Sequence, residues 1–305
     1  MCPSSPELLD AATIRALERL TLVSLDAVIA GVAGAPMSEM RGFGLEFADY
    51  RAYTPGDDLR RLDWQVYMRL REARVKVGPN EGHLELDLLL DTSRSMDSLP
   101  TGLANARPSK LRHAQRVAAA LGAVALLRAD AVRTWALIDG EAEPGARLHA
   151  PRMLARLEQA LSWLEPGRRT ELAASLRSYR NTGADADLAV MISDALIPGD
   201  SLLEALHELG SAARTSALVH VVEPAEAAPV ARGDVVLRDR ETGRRLELSL
   251  TEPVAAAYAR RFERFRRQVE EACAGAGVRY LLAPTDISVL DLLSGTARLA
   301  GVIAA

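Results

Sequence analysis

The chain is expected to form an α/β domain with a mainly parallel central sheet, and two observations carry that expectation. From His83 onward, short apolar runs of strand length alternate with longer segments of helical spacing, the signature of β-α-β units. The first run, from Leu84 to Asp91, becomes apolar at Leu88-Leu89-Leu90, as strands buried on both faces do.

The elements follow in order. Residues 6–33 carry helical spacing through Leu8, Leu9, Ile14, Leu17, Leu20, Val23 and Val28, which predicts one or two amphipathic helices ending near Gly31, Gly34 and Pro36. Residues 38–53 are aromatic and partly alternating, as in an extended or hairpin element, and Thr54-Pro55-Gly56-Asp57 is a turn. Val75 and Val77 suggest a further strand, closed by Gly78-Pro79-Asn80. The regular part then predicts a strand at 84–91, a helix at 110–127 and a strand at 132–137. A short edge strand is expected at 147–149 and a helix from Pro151 to Leu164, with Pro at its harmless first position. A helix over 171–179, a buried strand at 188–192, a helix at 201–213 and a strand at 216–222 come next. Two short apolar runs flank Asp239-Arg240-Glu241-Thr242-Gly243, which predicts a hairpin within 231–250. A long helix from Pro253 to Ala274, a strand at 278–282 and a helix at 288–299 complete the chain. The domain reading is therefore an amino-terminal segment, 1–82, that is helical and then β-rich, followed by an α/β domain over 83–305.

Composition narrows the function classes. The 305 residues are 49% apolar and 26% charged, with a net charge of -4, an ordinary globular profile. A mildly acidic chain does not bind nucleic acid by bulk charge. Cys2 and Cys273 form neither a disulfide framework nor a thiolate metal site, which fits a reducing cytoplasm. The first residues lack the basic start and apolar core of a signal peptide, and the longest apolar runs are too short to span a bilayer.

The chemistry concentrates where the first regular strand stops. Asp91, Ser93 and Ser95 stand at alternate positions in Asp91-Thr92-Ser93-Arg94-Ser95-Met96. In open α/β sheets, ligands bind beyond the carboxyl ends of strands. One carboxylate and two hydroxyls there make an oxygen-only set of the kind hard cations such as Mg²⁺ or Mn²⁺ prefer. Thr170, at a loop-to-helix junction, and Asp194, after the buried strand 188–192, belong to loops that a doubly wound sheet can bring to the same edge. Each residue also has a plain structural reading as a helix cap or turn former. The segment Asp58 to Trp64 likewise reads either as a solvated face laced with ion pairs or as a docking surface rich in hot-spot residues.

D-x-S-x-S, a later Thr and a later Asp together resemble the metal-ion-dependent adhesion site of von Willebrand factor type A domains. A second stretch is more specific. Arg51, Tyr53, Gly56, Asp57, Asp58, Arg60, Asp63 and Trp64 match the R-x-Y-x-x-G-D-D-x-R-x-x-D-W signature of the bacterial family called domain of unknown function 58, which lies just upstream of that family's D-x-S-x-S. The resemblance covers nearly the whole chain. It implies a Rossmann-like von Willebrand factor A-type domain with an amino-terminal extension. It also implies a Mg²⁺ or Mn²⁺ site at Asp91, Ser93, Ser95, Thr170 and Asp194, and a MoxR-type AAA+ ATPase as protein partner in chaperone-like or complex-maturation roles. On that reading the chain is a cytoplasmic, non-catalytic interaction module.

Two other classes stay open. A metal-dependent hydrolase, phosphatase-like, would use Asp91 as nucleophile. The haloacid dehalogenase pattern, however, needs a carboxylate where Ser93 stands, and no P-loop, H-E-x-x-H or G-x-S-x-G motif occurs. Anion or nucleic-acid binding would use the basic helix carrying Arg260, Arg261, Arg264, Arg266 and Arg267.

Overall fold

The computed structural model describes residues 8–22, 49–52, 74–77, 84–97, 108–167, 171–229, 233–238 and 245–304. Packing divides the chain into two units, Met1–Ala33 with Leu84–Ala305, and Gly34–His83. The first unit opens with α1 (Ala11–Leu17) and a two-residue strand, β1 (Thr21–Leu22). In the second, β2 (Asp49–Ala52) pairs antiparallel with β3 (Arg74–Val77), Arg51 standing opposite Val75. The first unit continues with β4 (Glu85–Asp91), α2 (Lys110–Leu127), β5 (Ala131–Ile138), β6 (Glu141–Leu148), α3 (Leu154–Ser162) and α4 (Leu172–Asn181). Then come β7 (Ala186–Ser193), α5 (Gly199–Gly210), β8 (Ala213–Val222), α6 (Pro224–Ala227), β9 (Gly233–Arg238) and β10 (Arg245–Leu250). It closes with α7 (Glu252–Gly275), β11 (Val278–Pro284), α8 (Val289–Ser294), α9 (Thr296–Leu299) and β12 (Ile303–Ala304).

Six strands form the central sheet in the order β11-β8-β7-β4-β5-β6. Every neighbouring pair is parallel except β5 with β6. The α/β class read from the alternation is thus the fold observed. The chain enters the sheet at β4, builds outward through β5 and β6, then crosses to the other side of β4 for β7. The strand order therefore reverses between β4 and β7, and such a reversal opens a crevice beyond the carboxyl ends of the two strands.

β4 shows why this sheet needs two covers. Leu86, Leu88 and Leu90 belong to one buried cluster, together with α2, while Leu89 belongs to the other, with Leu176 and Tyr179 of α4. Side chains alternate between faces along a strand, so an unbroken apolar run fills both. α2 matches its expected span because Ser109 caps it, accepting from the Arg112 N–H at 3.1 Å, and its Ala-rich body lies flat on the sheet. On the other face Asp87, fully buried, accepts from Tyr179 Oη at 2.6 Å and from Arg133 Nε at 2.7 Å.

Several expectations change. The boundary at 82/83 does not separate the amino-terminal helix from the α/β unit. Leu8, Leu9, Leu17, Leu20 and Leu22 lie in the core under α2, and β1 pairs with β12 through Thr21–Ala304 and Leu22–Ile303. Among the described residues, that part of the apolar stripe is thus buried against α2 of the unit it precedes. The edge strand expected at 147–149 is the eight-residue β6, joined to β5 by Asp139-Gly140 with φ of 48° and 82°. Positive φ at both positions is what a tight hairpin turn requires. The single helix expected over 288–299 breaks at Gly295, where a Cβ would meet the Asp291 carbonyl oxygen at 2.9 Å. The hairpin expected within 231–250 is β9 and β10. Among the described residues no helix is long and apolar enough to cross a membrane.

Candidate functional site

β4 ends in Asp91, which is almost fully buried, as are Thr92 and Ser93 after it. One carboxylate oxygen of Asp91 accepts from the Ser93 N–H at 2.8 Å, which folds the chain straight into a short 3₁₀ turn, Arg94–Asp97. The other accepts from Ser193 Oγ, the last residue of β7, at 2.6 Å. Ser93 Oγ and Ser95 Oγ lie 2.9 Å apart and share a hydrogen. Two hydroxyls and a carboxylate thus occupy one turn at the strand-order reversal. Burial first, then the charge of Asp194, pushes the Asp91 carboxyl up to about 6, against the opposing hydrogen bonds from Ser193 and Ser93.

Thr92 fixes the turn from behind. Its hydroxyl donates to the Leu137 carbonyl at 3.0 Å, and its own carbonyl accepts from the Gly167 N–H at 2.6 Å. Gly167 sits so close to Ile138 that a Cβ would approach its side chain to 2.8 Å. The Pro166-Gly167 turn is therefore held one residue from Asp91. Thr170, three residues on, lies outside the described residues, as do Tyr53, Gly56, Asp57, Asp58, Arg60, Asp63 and Trp64; of Arg51 only the backbone in β2 is described.

Asp194 follows β7 directly and is also nearly sealed from solvent. Its carboxylate accepts from Lys110 Nζ at 2.7 Å and from the Leu196 N–H at 3.2 Å. Ala195, with φ of 52°, turns the chain so that its N–H reaches Ser193 Oγ at 3.0 Å. The Asp194 carbonyl lies 3.0 Å from His220 Nε2, and His220 Nδ1 lies 2.9 Å from Tyr280 Oη. A carbonyl only accepts, so Nε2 carries the proton and Nδ1 accepts from the tyrosine. Burial pulls the pKa of this imidazole down to about 4, against the nearby Asp194 charge, so it is neutral.

Asp91, Ser93 and Ser95 are brought together in one turn, and Asp194 comes from the neighbouring strand end. Lys110, Ser193, Glu226 and His220 complete the surroundings and are absent from the sequence-based set. Ser193 adjoins Asp194 and was within reach of the motif. Lys110 meets Asp194 at 2.7 Å from 84 residues before it, and the same ammonium meets Glu226 Oε1, on a short helix after β8, at 2.6 Å. No local pattern announces such a meeting.

The donor set fits a hard cation in kind: the turn offers carboxylate and hydroxyl oxygens and no sulfur or imidazole. Among the described residues no group of three or more His, Cys, Asp or Glu side chains is arranged to hold a metal ion, so any such ion would depend on the serine hydroxyls and on water. Beside the Asp194 loop, a cleft of about 440 Å³ is lined by Glu171, Leu172, Arg177, Leu196, Pro198 and Glu204. Leu196, 46% exposed, projects next to it. The basic helix α7 carries its own counter-charges: Arg266 pairs with Glu263 and Glu270, and Arg267 with Glu263.

A family model described as a protein of unknown function, DUF58, matches residues 49–268. An uncharacterized protein of Mycobacterium tuberculosis is 30% identical over 285 residues, covering 90% of this chain and 85% of that protein. Among solved structures, an aerotolerance-related membrane protein from Bacteroides fragilis aligns at 17% identity and a TM-score of 0.45, over 71% of this chain and 98% of that one. A von Willebrand factor type A protein from Catenulispora acidiphila aligns at 13% identity and a TM-score of 0.41, over 72% of this chain and 42% of that one.

Proposed function

The chain belongs to the DUF58 family, and from that premise we propose that it is a divalent-metal-dependent protein-interaction module. The observation that carries the reading is the turn after β4. Asp91, Ser93 and Ser95 gather their oxygens where the strand order reverses, and Ser193 ties that turn to the end of β7. Mg²⁺ or Mn²⁺ would be held by Ser93, Ser95 and water, with Asp91, Asp194 and Thr170 as further oxygen donors. Bound there, the ion supplies a positive centre with a position open to a carboxylate from a partner protein, because octahedral Mg²⁺ seldom takes an all-protein cage.

This chain's own residues do the rest. Thr92 and the Pro166-Gly167 turn hold the loop rigid. The Asp194 loop and its cleft, with Leu196 at the rim, offer a partner a contact surface next to the ion. What weighs against Asp91 as a hydrolytic nucleophile is its setting. A nucleophilic aspartate of that kind works with a second carboxyl two residues on, and Ser93, its hydroxyl bonded to Ser95, stands in that place. The glutamates along α7 weigh against an anion-binding role for that helix.

By family resemblance, the partner is a MoxR-type AAA+ ATPase and the setting is the cytoplasm. The test is capture of that ATPase by the full chain with Mg²⁺, with a chelator, and with Asp194→Ala. Capture lost in the last two arms supports the metal bridge. Capture indifferent to both rejects it.

A further inference from the structure

Lys110 is the first residue of α2, and its ammonium is 1% exposed. A buried ammonium is costly unless it is paired and hydrogen-bonded. Here it meets two carboxylates, Asp194 Oδ2 just after β7 at 2.7 Å and Glu226 Oε1 on α6 at 2.6 Å. Burial alone would make the amine easier to deprotonate, but Asp194 and then Glu226 outweigh that and hold it charged. Asp194 is therefore already neutralised from within the chain, on the oxygen that Lys110 holds.

Resting on the metal reading above, we infer that Lys110 is the resident counter-cation of Asp194, and that a divalent ion gains that carboxylate only by displacing the ammonium toward Glu226. An ammonium and a divalent ion on one carboxylate oxygen repel each other strongly in a site screened so little by water. Glu226 supplies the alternative seat, since it is bonded to the same nitrogen and is 26% exposed on its short helix. Metal entry at Asp194 thus exchanges one buried ion pair for another interaction of similar kind. Lys110 sets the affinity of the site, and the fold keeps a charge-balanced metal-free form.

The inference is tested on the full chain by calorimetric titration with Mn²⁺ and Mg²⁺, with thermal unfolding in parallel. Lys110→Met removes the competitor and leaves Asp194 buried without a cation. Its metal affinity rises about tenfold or more over the natural chain. Its melting temperature, lowered without metal, is raised by metal further than that of the natural chain. Glu226→Gln deprives Lys110 of its second seat, so metal binds about threefold or more weakly. This partly exposed position also keeps the test alive should Lys110→Met fail to fold. If the natural chain binds metal and Asp91→Ala abolishes that binding, unchanged or weaker binding by Lys110→Met overturns the role of Lys110 alone. Unchanged or tighter binding by Glu226→Gln does the same. No metal binding by the natural chain or by Lys110→Met overturns this inference together with the metal reading.

Discussion

Ser193 Oγ donates to Asp91 Oδ2 at 2.6 Å, joining the carboxyl ends of two neighbouring strands across 102 residues of sequence. That bond lies at the strand-order reversal, where β4 and β7 leave room beyond their ends. It converts a topological feature into a fixed carboxylate, because the Ser93 N–H holds the other oxygen at 2.8 Å. Ser193→Ala leaves a buried carboxylate oxygen without its donor. The expected cost is about 1–3 kcal/mol of stability, with weaker divalent-metal binding as well. Urea denaturation at neutral pH and calorimetry check the two parts.

A second carboxylate on the same strand serves as a control. Asp87 is held by Tyr179 and Arg133 on the buried face, away from the strand end. Tyr179→Phe removes one of those donors from a buried charge and is expected to cost about 1–3 kcal/mol. Metal affinity should not change. Denaturation and calorimetry on this one variant separate damage to the fold from damage to the site.

Acid should weaken the protein through buried imidazoles. Burial, with the charge of Arg116 added and that of Asp286 opposing, pulls His113 down from 6.5 to about 4. The unfolded chain takes up that proton more readily than the folded one. The stabilisation is thus complete above pH 6.5 and is lost as pH falls from there through about 4. A shift of that size corresponds to about 3 kcal/mol. Denaturant midpoints measured across this window should fall less steeply for His113→Leu than for the natural chain. The part that remains includes His220, also pulled down to about 4.

The Asp139-Gly140 turn gives a local prediction. Gly140 has φ of 82°, a region that costs side-chain-bearing residues about 1–2 kcal/mol. An added Cβ would rest 3.5 Å from the Ala174 Cβ, an ordinary contact, so the cost of Gly140→Ala comes from the backbone. Thermal unfolding should show that loss with metal binding intact.

What was legible in the sequence follows from which interactions are local. β4 and α2 were readable because an apolar run and a Ser cap sit next to the residues they specify. The turn at Asp91, Ser93 and Ser95 was readable for the same reason, since its bonds span two residues. β6 was mostly hidden because Pro144, Gly145 and charged residues erase its alternation, as suits an edge strand, although Asp139-Gly140 was a usable hairpin signal. The pairing of β1 with β12 involves two residues at each end of the chain and leaves no periodic trace. The Lys110–Asp194 pair was invisible for a related reason. A lysine opening a helix reads as solvated, and only the folded chain brings it 2.7 Å from an aspartate 84 positions later.

The measurement closest to the central claim is a calorimetric titration of the full chain with Mg²⁺ and Mn²⁺, beside Asp91→Ala. The turn after β4 should bind one of these ions in the natural chain, and the variant, although folded by circular dichroism, should give no binding heat. Absence of binding in the natural chain, or equal binding in folded Asp91→Ala, would contradict the assignment of Asp91, Ser93 and Ser95 as a metal site.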